Sequence, residues 1–237
     1  ELNSAISKLE ELLLKEPNNP LINATIGNLQ GIQDKFLKAK AFHEKAVLLN
    51  PFEDMFYLNL SQTLNKLGHY KQSLKIILFA TIINPSNHQI RTAYARALYN
   101  VKDFQKAFLV YEDLIEKNQN DSQLKLEFCW KLSGVKDTKK ITKILKTIKN
   151  NSMLKDAVTL KGLVELHEKK INEAIKIFSK ALEFDNDNST IYSFLAICHE
   201  KKLNYNEAKS LHEKALKIQP VNLVALKNFA DYYYFVG

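Results

Sequence analysis

The chain has 237 residues, 46% of them apolar, and a formal net charge of +8. That apolar content supports a buried core and argues against disorder, and six glycines and five prolines are too few for a fibrous or linker-rich chain. No apolar run is long enough to cross a bilayer, and the charged, amphipathic first residues do not resemble a secretory signal.

Residues 1–16 read as one amphipathic helix: Ala5, Leu9 and Leu12 fall on one face, and Pro17 ends it. From Pro20 a unit recurs, with starts at Pro20, Asp54, His88, Ser122, Lys155, Ser189 and Leu223, in steps of 34, 34, 34, 33, 34 and 34 residues. Each unit reads as two helices of about thirteen residues joined by a short turn. The repetition is plainest between 34–51 and 203–220, where Phe36, Ala39, His43, Ala46 and Pro51 match Tyr205, Ala208, His212, Ala215 and Pro220 at a constant offset of 169. The expectation is a single array over 1–237, with six full units and a half unit at each end, each packing on its neighbours.

The unit resembles the tetratricopeptide repeat, whose pattern sets a small residue eighth, alanines twentieth and twenty-seventh, and proline thirty-second. The eighth place holds Gly27, Ser61, Ala95, Cys129, Gly162, Ala196 and Ala230; the twentieth holds Ala39, Ser73, Ala107, Ile141, Ala174 and Ala208. The twenty-seventh holds Ala46, Ala80, Leu114, Ile148, Ala181 and Ala215, and Pro51, Pro85 and Pro220 close three units. The resemblance covers essentially the whole chain. It implies an all-α, right-handed superhelical solenoid of antiparallel helix pairs, working as a protein-binding scaffold.

Two departures stand out. The unit from Ser122 is one residue short and carries Ile141 and Ile148 where alanines belong, so its helices are expected to splay or shift. In the next unit Lys161 and Glu165 occupy places that are apolar elsewhere, while Leu160, Leu163, Val164 and Leu166 lie off register. Either that helix is rotated or it exposes apolar groups. At the end, Gly237 falls inside a first helix without a polar cap, which would leave residues 232–236 partly bare and suggests a fragment of a longer protein.

No catalytic constellation is present: the chain has no Walker loop, HExxH or GxSxG motif. No enzyme activity, cofactor or metal site is expected. His43 and His212 recur with the repeat and read as packing residues; Cys129 and Cys198 stand alone and read as reduced core thiols, consistent with a cytoplasmic setting. Of 34 basic residues only Arg91 and Arg96 are arginines, which disfavours nucleic acid as a partner. Residues 136–155 carry seven lysines against Asp137, and Lys139, Lys143 and Lys146 line one helix face. That face reads as a solvated surface or as a site for an acidic partner.

The inner face of the first helices is the candidate binding surface. In the first half it offers Thr25, Asn28, Asn59, Gln62, Asn65, Gln89, Thr92, Arg96, Tyr99 and Asn100, rich in amides that can grip a peptide backbone. Glu127 and Trp130 follow, and then Leu160, Leu163, Leu166, Phe194 and Ile197. Trp130 is either an interface anchor or a gap filler, and the Leu160–Ile197 cluster is either a partner groove or core. Chaperone-binding members of the family share a two-carboxylate clamp; in the unit from Pro20 its places hold Ala24, Asn28, Asn59, Gln89 and Ala93, so both cationic partners are missing. An asparagine ladder like that of glycosyltransferase-linked members is absent too. Three functions remain open: a scaffold gripping an extended peptide or amphipathic helix, the recognition arm of an enzyme domain beyond residue 237, and self-assembly through 1–14 and 232–236.

Overall fold

The computed structural model describes residues 2–148 and 154–236; Lys149 of the basic segment and Gly237 lie outside them. Among the described residues there are fourteen α-helices and no strand, an all-α array of helix pairs. None of these helices is long and apolar enough to cross a membrane. The chain divides into two compact units, Glu1–Asn118 and Gln119–Gly237.

Unit 1 holds α1 (Leu2–Lys15), α2 (Pro20–Ile32), α3 (Phe36–Leu49), α4 (Asp54–Lys66), α5 (Tyr70–Ile83), α6 (His88–Asn100) and α7 (Phe104–Lys117). Unit 2 holds α8 (Ser122–Gly134), α9 (Thr138–Leu145), α10 (Leu154–His167), α11 (Ile171–Phe184), α12 (Ser189–Lys201), α13 (Tyr205–Ile218) and α14 (Leu223–Val236). Within each unit, first helices pack on one another and on their second helices.

Most first helices of the repeats start at an Asn or Asp side chain, whereas α3, α4, α5, α11 and α13 have no side-chain cap. Asn19 Oδ1 accepts from the amides of Leu21 and Ile22 at 3.0 and 3.1 Å, and Pro20, which has no N–H, needs no acceptor there. Asn87, Asp121, Asn188 and Asn222 cap α6, α8, α12 and α14 in the same way. Each such cap stabilises its helix by about 1 kcal/mol.

The turn inside each repeat is also one device. Its fifteenth residue is left-handed: Asp34, Gly68, Lys102, Lys136, Lys169 and Leu203 have φ of 57, 76, 67, 60, 63 and 62°. The next amide then reaches back to the last helical turn, as Lys35 N–H does to the Gln30 carbonyl at 2.9 Å and Asn204 N–H to that of His199 at 2.9 Å. These bonds satisfy carbonyls that the helix end would otherwise leave bare.

Small eighth-place residues let the helices of a pair approach. Ser61 Oγ lies 2.8 Å from Ser73 Oγ, joining the eighth and twentieth places. The Phe178 ring covers Gly162 so closely that a Cβ there would meet its Cε1 at 2.5 Å. His43 covers Gly27 in the same manner.

The two departures have distinct outcomes. Helix α9 is 8 residues long against 14 in α7; Ile141 is buried, but Ile148 lies past the helix end and is half-buried. The buried Lys125 donates from Nζ to the Thr147 carbonyl at 3.4 Å, just beyond that short helix. Helix α10 is rotated: Lys161 is exposed, Glu165 pairs with Lys170 at 3.5 Å, and Leu160, Leu163 and Val164 are buried instead. Turning two charged groups outward costs nothing in desolvation, and three apolar side chains replace them inside.

Candidate functional site

In unit 1 the face shared by α2, α4 and α6 is built on His43 of α3. Its ring lies over Gly27, whose missing side chain makes room for it. Nε2 is 3.1 Å from Asn28 Oδ1 and Nδ1 is 3.0 Å from Thr63 Oγ1. An amide oxygen only accepts, so Nε2 carries the proton and donates, while Nδ1 accepts from the Thr63 hydroxyl. Burial pushes the His43 pKa down to about 4, so the ring is neutral near pH 7. Asn28, itself exposed, is thereby held by its oxygen and keeps its NH2 for another partner.

A second amide pair lies on the same layer. Asn100 Nδ2 on α6 donates to Asn65 Oδ1 on α4 at 3.2 Å, and both residues are half-buried. The pair retains the Asn65 NH2 and the Asn100 carbonyl oxygen, a donor beside an acceptor, which is what one peptide group needs. Asn59 is half-buried; Gln62, Gln89 and Arg96 are exposed. Tyr99 is half-buried, 5.0 Å from the Phe104 ring, and desolvation raises its phenol pKa, so it stays neutral. Two groups expected on this surface are spent elsewhere. Thr25 and the buried Thr92 donate to the Leu21 and His88 carbonyls of their own helices, each at 2.8 Å.

In unit 2 the expected apolar stretch is core. Leu160, Leu163 and Phe194 are all buried, and Phe194 stacks on Phe178 at 5.6 Å. The cause is the rotation of α10, which brings its leucines inward to replace Lys161 and Glu165. Only Ile197 and Leu166 of that stretch remain half-exposed, and Glu127 and Trp130 on α8 are half-buried. Lys139, Lys143 and Lys146 are exposed on and just after α9. Lys143 and Lys146 lie at the C-terminal end of α9, where the helix dipole favours cations, while Lys139 sits in its first turn.

Other expectations resolve plainly. Tyr232, expected to be partly bare, is buried: its hydroxyl donates to the Tyr205 carbonyl at 3.2 Å and its ring lies 5.7 Å from that of His212. Tyr233, Tyr234, Phe235 and Val236 are exposed. His212 is buried, with Nε2 2.7 Å from Glu200 Oε1. Cys129 and Cys198 are free and buried, and burial pushes both thiols up to about 12. Among the described residues no three His, Cys, Asp or Glu side chains gather as metal ligands would. The repeat pattern marks His43 only as a packing residue; the signal for its hold on Asn28 is a histidine sixteen residues after a glycine that an asparagine follows.

Comparison with known proteins agrees with this architecture. Residues 156–188 match the family model of the tetratricopeptide repeat. A curated relative, the TPR repeat-containing protein YsoA of Bacillus subtilis, is 41% identical over 64 residues, which is 27% of this chain and 19% of that protein. Among solved structures, a tetratricopeptide repeat protein from Parabacteroides merdae superposes with a TM-score of 0.83 at 16% identity, over 98% of this chain and 92% of its own. The Cut9–Hcn1 hetero-tetramer of the APC/C gives 0.73 at 13% identity, over 98% of this chain and 46% of the matched one.

Proposed function

Because the chain is an array of tetratricopeptide repeats, we propose that it is a protein–protein interaction scaffold whose α2, α4 and α6 face grips an extended peptide of its partner. The observation that carries this reading is the set of amides held by other groups of the protein: Asn28 by neutral His43, and Asn65 by Asn100. Side chains already held in place lose less entropy on binding, so their donors and acceptors return more of their hydrogen-bond energy as affinity. Gln62, Arg96 and Tyr99 supply further polar contacts along the same helices. Trp130 and Glu127 on α8 are a second contact region, where an aromatic anchor would dominate. Lys139, Lys143 and Lys146 add a salt-sensitive component for an acidic partner.

The test is panning of a random-peptide display library on the purified chain, with Asn28→Ala/Asn65→Ala as the counter-screen. Enriched peptides that lose binding to the variant, while the variant keeps its helicity, support the reading. Absence of enrichment, or peptides that bind both proteins equally, would remove the amide face from the account. Changing the three lysines together to glutamine should flatten the salt dependence of binding, and an unchanged slope would mark that face as inert.

A further inference from the structure

We propose that unit 1 attaches to an anionic lipid surface through the outer face of α5 and the turn between α3 and α4, inserting Leu48, Phe52, Leu78, Phe79 and Ile82.

Helix α5 serves its own fold with Ser73, Ile77 and Ala80, all buried. Its twenty-fifth, twenty-sixth and twenty-ninth places point away from that core. There it carries Leu78, Phe79 and Ile82, which are 45%, 55% and 71% exposed. The same places hold Glu112, Asp113 and Glu116 on α7, Ser179, Lys180 and Glu183 on α11, and Glu213, Lys214 and Lys217 on α13. Packing of the repeat therefore does not call for apolar groups at these places. Helix α3 is intermediate, with Glu44 and Lys45 followed by Leu48, which is 80% exposed. Complete helix pairs flank α5 on both sides, α2 with α3 and α6 with α7, so a further repeat would not cover this face.

The patch extends beyond one helix. The Phe79 ring lies 6.1 Å from that of Tyr57 on α4, and the Tyr57 hydroxyl donates to the Pro51 carbonyl at 3.1 Å. Tyr57 so ties the turn that carries Phe52, 83% exposed, to the α5 stripe. A run of exposed apolar side chains of this size marks an interaction site.

Charge and shape select the occupant. Helices α3 and α5 carry Lys38, Lys40, Lys45, Lys71 and Lys75 against Glu44 alone, and Glu44 pairs with Lys40 at 3.4 Å. Of the two acids next to Phe52, Glu53 is half-buried, and Asp54 is buried and accepts from Asn84 and Asn87 at 2.9 and 3.2 Å. A second copy would bring lysine against lysine, whereas an anionic surface complements them. Leu48, Phe52 and Ile82 project from the protein rather than line a recess. A lipid interface admits projecting apolar groups without a matching cavity, and lysine stems reach the headgroups beside them. Apolar insertion and lysine attraction together are the two signals that stable attachment takes. The amides of the peptide-binding reading lie on first helices, so that reading and this one stand or fall separately.

Co-sedimentation of the whole chain with vesicles tests it. Vesicles of equal parts phosphatidylcholine and phosphatidylserine should carry the chain down, phosphatidylcholine alone should not, and added salt should weaken the binding. Phe79→Gln/Ile82→Gln and, separately, Lys71→Gln/Lys75→Gln should each lower vesicle affinity by about tenfold or more. Helicity should be unchanged, since α7 carries Asp113 and Glu116 at the places of Phe79 and Ile82. A chain that ignores the mixed vesicles, or binds them equally as Phe79→Gln/Ile82→Gln, would overturn the proposal. So would binding lost only when Lys139, Lys143 and Lys146 become glutamine, which would move the contact to α9. Two other results would reassign the patch and also overturn the proposal: preference for an acidic amphipathic model helix over the vesicles, and self-association that Phe79→Gln/Ile82→Gln abolishes.

Discussion

His43 makes stability depend on pH in a direction and amount that follow from its surroundings. In the unfolded chain the imidazole titrates near 6.5, and in the folded chain near 4, because burial disfavours the charged ring. Between those values the unfolded chain binds more protons, so stability falls as pH drops through this window and is fully present above it. The shift corresponds to about 3 kcal/mol at one site. The variant that isolates it is His43→Phe, since Phe178 already fills the same place above Gly162. There the Thr63 hydroxyl would turn to its own helix, and exposed Asn28 would turn to water.

Urea unfolding of both proteins, followed from about pH 7 to about pH 4, reads the difference directly. The wild-type chain should lose about 3 kcal/mol more than His43→Phe over that range. His167, whose pKa burial also lowers, titrates in both proteins and cancels from the comparison. Equal losses, or an imidazole NMR titration of His43 near 6.5, would refute the assignment of a neutral, desolvated ring and with it the account of how Asn28 is oriented.

Three further outcomes are expected. Leu203→Gly should raise stability by about 1 kcal/mol by relieving a left-handed leucine, and Gly68→Leu should lower it by a similar amount, both read by urea unfolding. Phe194→Ala should destabilise by about 3–5 kcal/mol as a core truncation. Trp130→Ala should instead leave the melting temperature nearly unchanged while weakening partner binding by more than about 1 kcal/mol; calorimetry beside a binding titration separates the two. Cys129 and Cys198 should resist a thiol reagent near neutral pH in the native chain and react once it is unfolded, because the buried thiols lie at about 12. Rapid native reaction would contradict their burial.

Much of the fold is legible because close approach leaves only a few residue types. Two helices that touch at the eighth and twentieth places cannot hold large side chains at both, so Gly27, Ser61 and Ala39 mark the pairs in the sequence itself. The turns are less legible. Lys102, Lys136, Lys169 and Leu203 give no sign that their backbones are left-handed, since the bond made by the following amide to the helix end, not the residue's own preference, holds them there. For α10 the sequence allowed two outcomes, and desolvation decides between them. Burying Lys161 and Glu165 would cost several kcal/mol each, whereas rotation buries Leu160, Leu163 and Val164 in their place.

The same logic separates what was readable in the candidate site from what was not. The sequence supplies the residue types on a helix face, and periodicity places the amides of α2, α4 and α6 together. It does not reveal which polar groups are already satisfied by the protein. Thr25 and Thr92 belong to the same stripe as Asn28, yet a hydroxyl reaches its own helix carbonyl and an asparagine does not do so as readily. Asn28 keeps a free end because His43, forced neutral by burial, binds only its oxygen. Asn65 and Asn100 keep free ends because each gives one half of its amide to the other. On the proposed reading, a partner's backbone would meet donors and an acceptor already held in place. The leucines and Phe194 of unit 2, which the sequence left as a groove or a core, are withdrawn into the interior. Affinity should accordingly rest on the polar face of unit 1 and on the half-exposed Trp130, and mutations there should change binding more than folding.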